Sequence, residues 1–300
     1  MEKGKNIVGI EKKPPLMERI VAKLPSVSYN AYIKIIVGYI VLVAVMCAVR
    51  VITIKNSVEF PGFTGDRASY KLDDTIYTSV FTMLYFVVGA IAFIIPLFSG
   101  KIGYSLTKRS NPFVFISSLV GFCMVGCAGF FIYRVRLVSE SMTNLDVWVI
   151  IFMLFTGSYL ALDAVGFLSE KLKPVFSFGT IAFGISRLAS EFINTHDKQY
   201  LSSNEYHLLS LALVLLFFSH NTRFLIHKEN SFWLKFFGLF ASFALLVYAV
   251  PELYLAISEP YYVDSVFIFC IVDLVLAIYI LARLLSVKDV SLNNGGKPNE

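Results

Sequence analysis

The chain has no polar stretch long enough to fold by itself. Its longest hydrophilic pieces are residues 1–30 and the loop Lys55–Thr75, and neither could bury a core. That excludes a soluble ATPase, kinase or DNA-binding domain within these 300 residues, so energy for any work must come from a gradient or a partner. Charge is scarce, at 16% of residues, too little for an ordinary soluble surface. Catalytic signatures are missing: no Gly-x-Ser-x-Gly nucleophile elbow, no His-Glu-x-x-His zinc helix, no glycine loop that would cradle phosphates. No internal repeat is visible, which withdraws support from an inverted-repeat transporter. No cleavable signal is evident either, and the first apolar run reads as a retained signal anchor. The four cysteines, Cys47, Cys123, Cys127 and Cys270, lie in apolar runs and do not form a secreted disulfide framework. Cys123 and Cys127 share a helix face, but ordinary small-residue packing beside Gly121, Gly126 and Gly129 explains them better than a soft-metal site. The four histidines, His196, His207, His220 and His227, stand near span ends with no i, i+4 pair, which argues against haem or zinc. No cofactor is implied.

What is present is apolar surface. The composition is 57% hydrophobic and 15% aromatic, with a mean hydropathy of +0.70, which points to a polytopic membrane protein. The fold class read from the sequence is all-α, a bundle of eight transmembrane helices, with seven as the fallback count. The expected spans are about 32–54, 76–98, 112–133, 145–168, 173–194, 206–226, 232–256 and 264–285, each near the ~20 residues that a bilayer requires. The predicted division is a basic cytoplasmic tail over 1–30, the transmembrane region over 31–286 and a polar cytoplasmic tail over 287–300. Within the first tail, Met17–Leu24 could form one short interfacial turn, and Pro14 and Pro15 break any longer helix. Lysines and arginines gather on one side of this arrangement, in the first tail, the Lys101–Arg109 loop, the Glu170–Lys173 joint and the Arg223–Lys235 region. Both termini are therefore expected in the cytoplasm. The net charge of +5 is read as loop and headgroup charge, so nucleic acid is not an expected partner.

The fifth expected span departs from the others. It holds Arg187 and Glu191 inside an apolar run, and Ser177, Thr180, Gly184, Arg187, Glu191 and Asn194 recur at intervals of three or four along one face. A charge at the bilayer centre costs at least ~2.5–3.5 kcal/mol, so this face is expected inside a bundle. At 1.5 Å per residue, Arg187 falls about 20 Å from the cytoplasmic side and roughly level with Asp273 on the eighth span. The same count puts Arg50 level with Glu191. Depth therefore suggests Arg187–Asp273 and Arg50–Glu191 pairs, with Arg187–Glu191 at i, i+4 as an internal option. Such pairs could be structural ties between helices or a site for a solute or proton. Asp163, continuing a line with Thr156 and Tyr159 on the fourth span, is about 12 Å from the level of Arg187 and is expected either to take hydroxyl partners or water, or to reach the headgroups as an interfacial carboxylate.

These polar residues (Arg187, Glu191, Asp273, Arg50, Asp163, Tyr159 and Thr180) are the candidate site. With no other chemistry in the chain, the expected function is a small-solute or ion carrier or the membrane subunit of one. The alternative is a non-catalytic scaffold, sensor or assembly subunit, and an intramembrane enzyme ranks third. The expected surroundings are the lipid of a bacterial plasma membrane, since N-glycosylation sequons are absent and loops are short, with other membrane subunits or a cytoplasmic energising protein as candidate partners.

Overall fold

A computed structural model describes residues 29–59, 69–70, 75–98, 111–138, 143–169, 171–196, 202–226, 231–258 and 267–286. The basic first tail with its Met17–Leu24 turn, the Lys101–Arg109 loop and the final tail lie outside the described residues. The described residues form eight helices: α1 (Tyr29–Ser57), α2 (Thr75–Phe98), α3 (Asn111–Val138), α4 (Asn144–Val165), α5 (Leu172–His196), α6 (Ser202–Leu225), α7 (Ser231–Ser258) and α8 (Phe267–Ser286). Between α1 and α2 the described residues add only a two-residue antiparallel ribbon, β1 (Val58–Glu59) against β2 (Ser69–Tyr70). Seven of the helices are long and apolar enough to cross a membrane. The exception is α5: at 25 residues its length suffices, but its polar face takes it below the apolarity of the others. The protein is thus an all-helical, multi-pass membrane-type bundle.

Local signals set the α4–α5 joint. Thr143 caps α4, accepting from the Asp146 backbone while the Asp146 carboxylate accepts from the Thr143 backbone, a reciprocal capping box. At the other end Gly166 adopts φ 88°, a left-handed conformation that favours glycine. There the Phe167 and Gly166 amides donate back to Leu162 and Asp163, closing a Schellman turn. The turn is tight, and α5 folds back against α4.

Each helix from α3 to α8 packs on its successor, and α8 returns to α3, so six helices close a ring. Helices α1 and α2 pack on each other and on α7. The closest backbone approach between described glycines joins α3 and α4. A Cβ added to Gly121 would stand 2.5 Å from the Gly157 carbonyl oxygen, and one added to Gly157 would stand 2.7 Å from that of Gly121. Small residues let membrane helices meet this closely, where dispersion replaces the hydrophobic effect as the attraction. Elsewhere the ring is filled by large side chains, among them Met124, Met153, Phe183, Phe217, Phe218 and Tyr279, all buried. The outward faces of α1, α2 and α3 expose apolar groups such as Val41, Met83 and Phe122, as lipid contact requires.

Candidate functional site

The α5 polar face turns inward. Ser177, Thr180, Gly184 and Arg187 are buried, whereas Val175, Phe178, Ile185 and Phe192 on the other face are exposed. The Ser177 and Thr180 hydroxyls donate to carbonyls three residues back within the helix. Their hydrogen bonds are therefore local to α5.

Four helices contribute to a buried charged cluster there. Arg187 is 2% exposed. Its Nη1 donates to Glu191 Oε2 at 3.3 Å, one turn along α5. The Phe269 ring from α8 covers its guanidinium face, with Cζ 3.6 Å from the centroid. Its Nε and Nη2 have no hydrogen-bond partner among the described residues. His207 from α6 stands between two carboxylates: Nε2 is 3.0 Å from Asp273 Oδ2 on α8, and Nδ1 is 3.3 Å from Glu191 Oε1, a more bent contact. Tyr248 from α7 stacks on the imidazole, centroids 3.9 Å apart and planes 7° from parallel. Cys270 packs on Tyr248, and Glu252, one turn beyond Tyr248 and also buried, acts electrostatically on both. On the flank, Ser190 donates to Asp146 Oδ1 at 3.1 Å, which ties the cluster to the capped start of α4.

This geometry corrects two pairings expected from depth. Asp273 meets His207, not Arg187, and Arg187 takes the i, i+4 partner on its own helix. Arg50, 4% exposed, does not reach Glu191; it lies over the Phe81 and Tyr206 rings, 4.8 and 5.0 Å from their centroids. Tyr206 in turn hydrogen-bonds Thr82 on α2, so an aromatic cage joins α1, α2 and α6. A third correction concerns Asp163. It has a cationic partner, Lys173 across the tight turn, at 3.8 Å. Lys173 stands two residues after Lys171, and its long stem folds back to the α4 level, a reach that Cα depth alone does not count. Asp163 and Arg187 are not brought together. Tyr159 and Thr180 are buried, the first in the apolar core, and the Thr180 hydroxyl is given to Ser177 within α5.

The residue that sequence reasoning missed is His207. It lies near the start of its span, where the sequence pattern does not separate it from the end-of-helix histidines. The signal was there, since an ionisable side chain within a span and level with Glu191 and Asp273 belongs with them. Among the described residues no group of His, Cys, Asp and Glu has the arrangement to hold a metal ion. The arrangement suits proton chemistry: an imidazole with a carboxylate at each nitrogen donates to both when doubly protonated and to only one when neutral. No protein-family model, no curated protein and no solved structure matches the chain.

Proposed function

We propose that the protein is a small-solute or ion carrier whose coupling group is the Glu191–His207–Asp273 bridge. The observation that carries this reading is the bridge itself: three ionisable side chains from α5, α6 and α8 in contact, with His207 and Asp273 1% exposed and Glu191 16% exposed. Gaining or losing one proton changes how many of the three helices the imidazole ties together. That is a way for a proton to bias helix packing. Membrane interiors seldom keep such groups without a use.

The bridge lies roughly 8–9 Å from the ends of α6 and α8 that adjoin the α5 C-terminus. Positive residues favour both chain ends in the cytoplasm, which would turn those helix ends outward. On the cytoplasmic side of the bridge, Phe183, Phe218 and Tyr279 fill the ring. A carrier must part them for its solute to pass.

The competing reading, a scaffold or assembly subunit, rests on that packed interior and on the outer face of α3. There Gly126 and Gly129 stand exposed beside Phe122 and Phe130 with nothing within 4 Å of an added Cβ. One experiment separates the two. In a cysteine-free background, Phe183→Cys and Tyr279→Cys are treated with a membrane-impermeant thiol reagent from each side of sealed vesicles. A carrier shows labelling from both sides, with a ratio that changes with pH; labelling from neither side would favour the scaffold.

A further inference from the structure

The Arg187 guanidinium is held on three sides and unengaged on the fourth. Phe269 covers a face, Nη1 is given to Glu191, and the aliphatic stem occupies the root. What remains is the edge carrying Nε–H and Nη2–H. Both atoms are buried and have no partner among the described residues. These two hydrogens point the same way, so this edge binds a pair of oxygens bidentately; a carboxylate matches its plane and spacing. Burying such a donor pair unmatched is unfavourable, and structural ion pairing would have used it. We propose that this edge receives the carboxylate of a small, water-soluble organic anion, taken up together with a proton. The proposal rests on the carrier reading and names its substrate class.

The proton follows from charge. Facing the site are Arg187 and Glu191 from α5, His207 from α6, Tyr248 and Glu252 from α7, and Cys270 and Asp273 from α8, with Asp146 of α4 on the flank. With His207 charged, Glu191 and Asp273 already balance Arg187 and His207. A further anion entering alone would add an uncompensated charge in a medium that screens poorly. One proton delivered to the bridge with each anion leaves the net charge unchanged.

The test uses the full-length protein in detergent, with unfolding followed by Trp148 and Trp233 fluorescence. Propionate and succinate are the probes. Propionamide removes the charge, inorganic phosphate changes the oxyanion, and dodecanoate offers a carboxylate on a lipid-like tail. The expected result is a saturable rise in Tm with propionate or succinate, stronger at mildly acid pH, and absent with propionamide. In weak buffer, binding should take up one proton per anion. Arg187→Lys keeps the charge but lacks the planar edge, and should lose about tenfold or more in apparent affinity. Should that variant fail to fold, proton uptake by the unaltered protein decides the matter. Equal shifts with propionamide, a response to phosphate in place of the carboxylates, tighter binding of dodecanoate than of both short acids, or unchanged binding in a folded Arg187→Lys would each overturn the proposal, and so would binding without proton uptake. Carboxylate binding in a protein whose residues 183 and 279 label from neither side would keep the anion site and remove the carrier.

Discussion

Replacing His207 by alanine should strand Asp273. The Asp273 side chain is 1% exposed, and its only described hydrogen bond is the 3.0 Å contact to His207 Nε2. Glu191 would lose a 3.3 Å contact but keep Arg187 at the same distance. The cost therefore falls mainly on one buried carboxylate, and breaking a buried pair by removing one partner costs about 3–5 kcal/mol. Loss of the stacked ring over Tyr248 adds to it. Asp273→Asn alone is milder, because an amide oxygen still accepts from Nε2–H; exchanging an acceptor of charge for a neutral one should cost about 1–2 kcal/mol. Adding Asp273→Asn to His207→Ala removes the stranded charge, so the double variant should be about 2 kcal/mol more stable than His207→Ala itself. Apparent stability can be read from unfolding in a sodium dodecyl sulfate titration followed by tryptophan fluorescence. Strict additivity of the two changes would refute the pairing, as would a His207→Ala variant within about 0.5 kcal/mol of the parent, the range of an ordinary surface change.

Other contacts give further tests. Arg50→Leu should cost about 1–2 kcal/mol in the same titration through loss of two cation–π contacts, with Arg50→Lys retaining part of it; equal stability of all three forms would remove the aromatic cage. Gly121→Leu must push α3 from α4 and should cost at least about 1–3 kcal/mol, whereas Gly126→Ala on the same helix meets nothing within 4 Å and should be neutral or mildly stabilising. A reporter fused after Glu300 should remain cytoplasmic and one inserted in the loop Lys55–Thr75 should be translocated, as the positive residues direct; the reverse result would invert the orientation on which the outward placement of the bridge depends.

Span positions were legible because hydropathy is additive along the chain: the starts and ends expected from it stand within a few residues of most helices. The inward face of α5 was legible for a related reason, since a 3.6-residue period fixes which residues share a face of one helix. Partners were not. Depth places Arg187, His207 and Asp273 at comparable heights, but which two meet depends on how far α6 and α8 are rotated about their own axes. Those rotations follow from packing that single-helix periodicity does not carry, such as the stacking of Tyr248 on His207 and of Phe269 on Arg187. Asp163 shows a second blind spot. Cα height excluded Arg187 correctly, yet it also passed over Lys173, whose side chain spans several ångströms back across the Gly166 turn.

The same physics explains how α5 can occupy a bundle at all. Alone in lipid, a charge costs about 2.5–3.5 kcal/mol at the bilayer centre and less toward the surface, so Arg187 and Glu191 both weigh against the gain from the apolar residues of α5. Pairing them at i, i+4 removes part of that cost within the helix itself. The remainder must come from outside: the Phe269 ring, the His207 imidazole and, through His207, Asp273. The tight turn after α4 delivers α5 beside a helix already apolar enough to insert, while Val175, Phe178, Ile185 and Phe192 supply its lipid face. So α5 depends on α6 and α8 for its place, and those helices meet at the charges that α5 brings. A cluster serving only to join helices would spend every donor on that task. His207 Nε2 is spent so and Arg187 Nη1 is given to Glu191, His207 Nδ1 makes only a bent contact with Glu191, and the Nε–Nη2 edge of Arg187 meets no described acceptor. On the reading proposed above, that difference separates the part of the cluster that holds the fold from the part that would receive a ligand.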